Sequence, residues 1–302
     1  MDAKNIILKS HFDQQNIYCK LYETDSPKAI VQIIHGMKEH QSRYADFAKT
    51  LNQAGFIVMT SDLRGHGENT DPTLYGYFGE KKPHQALLAD QQTITAYLNE
   101  AYPTLKINLF AHSMGTIIAR NLIQNNAASY ERVLLSGVPA YQWAAHLGLF
   151  VADIIAFFKS NRYVSPLLEH LTLHPFEKAI KDKKTANDWL SYNEENVKAY
   201  YNDPYCGIPF TVSAYKALFR LNINMYKKRR YRVLDPSLPI LLLAGKEDPC
   251  TLGTKGLKSS MNVLIKAGYQ NVHIRVYDRM RHEILNEEKK KEVIKDILSF
   301  LN

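Results

Sequence analysis

The sequence predicts an α/β fold: a mainly parallel eight-stranded sheet with helices on both faces and a helical cap inserted between two strands. Three observations predict it. Short apolar, β-branched runs alternate with stretches of helical periodicity. Most of the later runs are continuously apolar, as strands buried on both faces are. One long region breaks the alternation: residues 138–235 contain no convincing strand and are dominated by helical spacing.

The strands are expected at residues 6–8, 17–21, 29–34, 57–60, 107–111, 133–135, 240–244 and 272–277. The first two alternate and are joined through Asp13-Gln14-Gln15-Asn16, which suggests a hairpin. Helices are expected at 44–53, 84–100, 115–125, 254–266 and 287–301. The region 138–235 holds 17 of the 33 aromatic residues and both tryptophans, Trp143 and Trp189. It also carries 14 basic and 9 acidic residues, so +5 of the chain's +8 lies there. Ordinary connections are far shorter than 98 residues. We therefore expect a core of 1–137 and 236–302, with 138–235 as the cap.

Composition narrows the class. With 302 residues, 45% hydrophobic and 23% charged, the chain can bury a large core and is no disordered tail, collagen or disulfide scaffold. The net charge of +8 permits contact with anionic surfaces without establishing it. Cys19, Cys206 and Cys250 are scattered, with no spacing suited to a structural metal. MDAKNIILKS has no apolar run of signal-peptide length, so a cytoplasmic protein is expected.

The strongest chemical signal is Ala111-His112-Ser113-Met114-Gly115, between an expected strand and helix. A serine there sits on a sharp turn with its Oγ above the sheet, and small residues two before and two after let the backbone fold back. Gly115 is one; Ala111 stands where glycine is more usual. The bland reading of Ser113 is a helix cap. A serine hydroxyl needs a base, and His282 lies just beyond the last expected strand, on the same sheet edge. His112 is adjacent in sequence, but neighbouring side chains on a turn diverge. The acid that orients His282 is expected from the end of strand 240–244, in Gly245-Lys246-Glu247-Asp248-Pro249. Asp248 precedes a proline, which favours a turn; Glu247 is the rival. Each also has a bland reading: Asp248 as a turn residue, His282 as a helix-start histidine. The order Ser113, Asp248, His282 favours catalysis.

A tetrahedral intermediate needs two backbone N–H donors. His35-Gly36-Met37 after the 29–34 strand and Met114 after the serine supply the candidates, the N–H groups of Met37 and Met114. Asp62-Leu63-Arg64-Gly65-His66-Gly67 reads as a tight loop that is architecture beside the site.

Together these residues resemble the α/β-hydrolase superfamily, and more narrowly its monoacylglycerol lipase, lysophospholipase and serine aminopeptidase branch. The matching pieces are His35-Gly36-x-x-Glu39-His40-x-x-Arg43-Tyr44, Asp62-x-Arg64-Gly65-His66-Gly67, the His112-Ser113-Met114-Gly115 elbow, Gly245-x-x-Asp248 and His282-Glu283. Asn202-Asp203-Pro204-Tyr205-Cys206-Gly207 in the cap also resembles bacterial lysophospholipases. The resemblance implies the α/β-hydrolase fold, Ser113 as nucleophile, Asp248 as acid, His282 as base, oxyanion donors at Met37 and Met114, and no cofactor. Serine at the elbow argues against dehalogenase and epoxide-hydrolase relatives, which use aspartate there.

The expected substrate is a small-molecule ester with a lipid-like acyl group. The apolar stretch 141–158 is too wide in its apolar surface for a helix with one buried face, and too short and interrupted for a membrane span. It is expected to line an acyl tunnel, with Trp143, Leu149 and Phe157 as substrate-binding candidates; complete burial is the bland alternative. The cluster Lys227-Lys228-Arg229-Arg230 with Arg232 could touch an anionic membrane surface, though a solvated helix end is the commoner use of such a run. No motif points to nucleic acid. A peptidase releasing N-terminal residues is the rival enzyme. It would need cap carboxylates, for which Glu169, Glu177, Glu194 and Glu195 are available. A non-catalytic binding protein would have no need of all three triad residues.

Overall fold

The computed structural model describes residues 3–302. Met1 and Asp2, the first residues of the expected core, lie outside the described residues. The eight strands are β1 (Lys4–Lys9), β2 (Asn16–Tyr22), β3 (Ala29–Ile34), β4 (Phe56–Ser61), β5 (Ile107–His112), β6 (Arg132–Ser136), β7 (Ile240–Gly245) and β8 (Val272–Tyr277). They form one sheet in the order β1-β2-β4-β3-β5-β6-β7-β8. The hairpin β1–β2 is antiparallel and joins β4 antiparallel; β4 to β8 are all parallel.

Parallel strands need crossovers, and helices supply them. These are α1 (Ala45–Gln53), α2 (Pro83–Ala101), α3 (Met114–Asn126) and α8 (Gly253–Ala267), while α9 (Lys290–Leu301) follows the last strand and covers the sheet beside α1. Two apolar clusters result, one on each face. Ile30, Ile34, Leu109 and Val133 meet Ile94 of α2, Ile118 of α3 and Leu264 of α8. Val31, Ile33, Phe110 and Leu134 meet Phe47 and Leu51 of α1 and Ile297 of α9. This explains why β3 to β7 read as unbroken apolar runs. The edge strand β8 does not: His273, Arg275 and Val276 are exposed, and Ile274 packs against the core.

Between β6 and β7 lies the cap: α4 (Ala145–Phe158), α5 (Pro166–Lys178), α6 (Glu194–Asn202) and α7 (Val212–Met225). One isolated bridge, Val164 to Thr211, is its nearest approach to a strand. α7 packs on α2, α3 and α4, so it belongs as much to the core layer as to the cap. α4 and α7 approach closely because α4 turns small residues inward: a methyl added to Gly148 would lie 2.9 Å from the Phe219 ring. Among the described residues no helix is long and apolar enough to cross a membrane.

Candidate active site

In a parallel sheet every strand delivers its following loop to the same edge. Ser113 follows β5, Asp248 follows β7, His282 follows β8 and Gly36-Met37 follow β3. The four loops converge there. Ser113 has φ 51° and ψ −119°, a conformation costing about 1–3 kcal/mol for a residue with a side chain. The turn is held by Ser113 N–H to the Ser136 carbonyl at 2.9 Å. It also depends on Gly115, since a Cβ there would lie 2.4 Å from the Ile34 carbonyl oxygen and 2.7 Å from that of His35. Ala111 is inside β5, fully buried in the apolar cluster, so its methyl packs and does not obstruct the turn.

The Ser113 side chain makes no cap to α3. Its Oγ lies 2.8 Å from His282 Nε2, and His282 Nδ1 lies 3.0 Å from Asp248 Oδ2. Asp248 uses its other oxygen, Oδ1, to accept from Cys250 N–H at 2.8 Å. It is therefore both turn residue and imidazole partner. Glu247 is turned away, its Oε2 accepting from Met280 N–H at 3.3 Å. His282 is fully buried, which disfavours the imidazolium. The Asp248 charge and hydrogen bond, with Glu283 and Glu39 beyond, outweigh burial and raise its pKa above the ordinary value. His112 packs its ring 4.7 Å from that of His282. Burial and the His282 charge push His112 down to about 3, so it stays neutral.

The loop after β3 is held from several sides. A Cβ on Gly36 would sit 3.0 Å from Ser113 Cβ, which shows how closely this loop passes the elbow. Gly36 N–H donates to Glu39 Oε1 at 2.6 Å, and Tyr44 Oη donates to the same oxygen. Arg43 binds Glu39 and grips both oxygens of Glu283, at 2.7 and 2.8 Å. His35 accepts Leu63 N–H and His66 accepts Lys38 N–H, each through Nε2. Both rings must be neutral to do so, and burial depresses both pKa values, His66 to about 4. The Asp62–Gly67 loop behaves as architecture: Arg64 is clasped by Asp90 and Asp13, and Asp62 accepts from Gln41.

Above these residues lies a cavity of about 630 Å³. Gly36, Met37, Met114, Ser113 and His282 form its floor. α4 contributes Ala145, Leu147, Gly148 and Val151, and α7 contributes Leu218, Phe219 and Asn222. Leu171 and Phe176 of α5 and Trp189 complete the walls. Trp143, Leu149 and Phe157 do not line it, which corrects the sequence expectation. Trp143 is 74% and Phe157 84% exposed, and Leu149 is half-buried on another side of α4. The reason is helical phase. Gly148 and Val151 of α4 face inward where α7 approaches, whereas Phe150, Ile154 and Phe157 point outward and Trp143 lies exposed before the helix begins. Sequence reasoning also missed Trp189 and Lys38, which enter the cavity from distant segments; the aromatic enrichment of 138–235 was the available signal for Trp189. Glu169, named from sequence only as a carboxylate for the peptidase rival, lines the cavity beside Lys38.

Among the described residues, two groups of possible metal ligands have donor atoms within 4.8 Å of one another: Asp248, Cys250 and His282, and His40, Asp203 and Cys206. The first is the constellation around Ser113. In the second, His40 Nε2 lies 2.8 Å from Asp203 Oδ2. All three cysteines are free.

A mostly parallel eight-stranded sheet, with a serine elbow after β5 and a helical cap after β6, defines an α/β-hydrolase. The family described as Serine aminopeptidase, S33, matches residues 25–289, and the chain belongs to that family. It is 27% identical over 288 residues to a monoacylglycerol lipase of Mycolicibacterium smegmatis, covering 92% of this chain and 89% of that one. It is 24% identical to the human monoglyceride lipase, covering 91% and 82%. A thermostable carboxyl esterase from Bacillus coagulans, solved with glycerol, superimposes with a TM-score of 0.93 at 27% identity, covering 100% and 98%.

Proposed function

We propose that the protein hydrolyses carboxylic esters with lipid-like acyl groups, such as monoacylglycerols or lysophospholipids, through an acyl-enzyme on Ser113. The observation that carries this reading is the line Ser113 Oγ, His282 Nε2, His282 Nδ1, Asp248 Oδ2, with spacings of 2.8 and 3.0 Å, at the floor of a largely apolar cavity. His282 takes the Ser113 proton as Oγ attacks the ester carbonyl, and Asp248 stabilises the imidazolium. The N–H groups of Met37 and Met114 receive the oxyanion. His282 then gives its proton to the departing alcohol. Water, activated by the same imidazole, releases the acid and restores Ser113. No cofactor enters this sequence.

Residues 138–235 are proposed as the unit that sets acyl preference, because α4, α5 and α7 supply most of the apolar wall. The exposed stripe Trp143, Leu147, Phe150, Ile154 and Phe157, at helical spacing, supports uptake of substrate from a lipid surface. The exposed Lys228, Arg229 and Arg230 support peripheral contact with anionic lipid. The cytoplasm is the proposed compartment.

The rival is peptide cleavage with recognition of a free amine. Of its candidate carboxylates, Glu169 is paired with Lys38, and Glu194, exposed, with Lys184. Glu177 also lines the cavity, with Lys183 Nζ 3.8 Å from its Oε2, and this looser pairing keeps the rival testable. A panel of monoacylglycerols, lysophospholipids, p-nitrophenyl esters and aminoacyl-naphthylamides separates the two. Faster cleavage of the naphthylamides than of every ester would replace the ester reading.

A further inference from the structure

Lys38 is held in an unusual way for a lysine. It follows Met37 directly and has φ 58°, in the left-handed region that residues with side chains adopt only under constraint. Its N–H donates to His66 Nε2 at 3.2 Å. Its carbonyl accepts from Tyr200 Oη and from Gly207 N–H, both at 2.9 Å and both from the cap. Its side chain is only 5% exposed and reaches into the cavity wall, where the ammonium meets Glu169 Oε1 of α5. Glu169 uses its second oxygen to accept from Tyr215 Oη of α7 at 3.2 Å. The ammonium lies 5.8 Å from the centre of the Phe210 ring. Among the described residues Glu169 is the one carboxylate paired with Lys38. Cap segments from α5, α6 and the 203–207 loop thus converge on the single residue that follows Met37.

We infer that the Lys38–Glu169 ion pair is a positioning device that aims the Met37 N–H at the oxyanion, and that it does so only while the cap is seated. This rests on the reading of Met37 as an oxyanion donor. A buried ammonium stays buried only with its partner in place. Withdrawal of α5 removes Glu169, the ammonium moves toward water, and the left-handed turn at Lys38 relaxes with it. The Met37–Lys38 peptide then turns about its bond to His66, and because it meets the Gly36–Met37 peptide at the Met37 Cα, the Met37 N–H loses its fixed aim. The oxyanion site is therefore assembled by core and cap together.

The two variants differ in their cost to the fold, but each removes the tie that fastens the Lys38 side chain to α5. Glu169→Gln strands a buried charge. Lys38→Met removes the charge and leaves Glu169, 36% exposed, able to hydrate. Glu169→Asp keeps the charge, and the lysine chain can follow it.

The test measures the rate of Ser113 phosphonylation by a fluorophosphonate, and kcat and KM on acetate and decanoate esters, with melting temperature alongside. Glu169→Gln and Lys38→Met should slow phosphonylation and lower kcat roughly tenfold or more, since loss of one oxyanion donor altogether costs about 10²–10³. The loss should be the same for both esters, because every ester forms the oxyanion, and KM should barely move. Glu169→Asp should recover most of the rate. Wild-type rates in either folded variant, or a loss that grows with acyl length, would overturn the inference. A purely structural role would lower the melting temperature and leave the rates intact. Should Glu169→Gln fail to fold, Lys38→Met decides alone. Absence of labelling in the wild-type protein would instead remove the Ser113 reading, and this inference with it.

Discussion

The Trp189 indole lies 5.0 Å from the His282 imidazole, centre to centre, with the two planes tilted by 42°. A cap residue thus roofs the imidazole proposed as the base, backed in turn by Phe176 at 5.3 Å. Burial is the largest influence on His282 and works against its charged form. Trp189→Ala should admit water there and raise the His282 pKa further, while Trp189→Phe should not. The acid limb of kcat/KM against pH will move to higher pH in the alanine variant alone.

For the wild-type protein the same limb should already lie above 6.5. As the proposed base, His282 has to be neutral to accept the Ser113 proton, and the Asp248 charge and hydrogen bond raise its pKa above that value. An acid limb centred well below 6.5 would contradict the arrangement of charges around the ring.

Ser113→Ala should abolish fluorophosphonate labelling and turnover. Asp248→Asn should leave the fold intact and lower kcat by about 10⁴, as in other Ser-His-Asp enzymes. Glu247→Gln should be nearly silent, since that carboxylate faces the Met280 backbone. Steady-state kinetics on the three variants decide between the two acids.

Stability should fall on acidification for a reason independent of turnover. His66 is fully buried and neutral, with its pKa near 4 against 6.5 when free. A depressed value means that the stabilisation is fully present above 6.5 and is lost as pH falls toward 4, on the order of 3 kcal/mol. His35 and His112 act in the same direction. His282, with its raised value, has the opposite sign: its contribution is present below 6.5 and lost as pH rises through its folded pKa. Urea unfolding at pH 7 and pH 4.5 should show a net loss, and a smaller one in His66→Gln.

Acyl preference should map to the inward face of the cap. Each methylene buried contributes about 0.8 kcal/mol, close to fourfold in binding. kcat/KM should climb with chain length and then level off. Val151→Asn or Leu218→Asn should flatten the climb and leave acetate esters almost unchanged, whereas Phe157→Ser should alter neither.

How far the sequence could be read follows from what each feature depends on. β5, Ser113 and α3 are contiguous, so turn chemistry and apolar period revealed them together. Asp248 was separable from Glu247 because Pro249 constrains the residue before it. The cap announced its existence through length and composition. Its inner face stayed hidden, because helical period says which residues share a face but not which face meets the cavity. Large apolar residues were therefore favoured over Gly148 and Val151. The Lys38–Glu169 pair joins residues 131 positions apart and leaves no local trace. The Trp189–His282 contact likewise depends wholly on tertiary structure.

The two ends of the cap meet different constraints. β6 and β7 are parallel neighbours, so a chain leaving the carboxyl end of one must be carried back to the amino end of the other. α7, packed along α2 and α3, makes that return, whereas α4 to α6 make an excursion over the sheet edge. The lid is therefore exchangeable only in part. Recombination between related hydrolases could replace the excursion, roughly residues 139–210, and graft a new substrate range onto an unchanged sheet, provided the incoming segment keeps partners for Lys38 where Glu169, Tyr200 and Gly207 stand. A crossover point beyond Thr211 would instead sever the return helix, and the strands that carry Asp248 and His282 would lose their place in the topology.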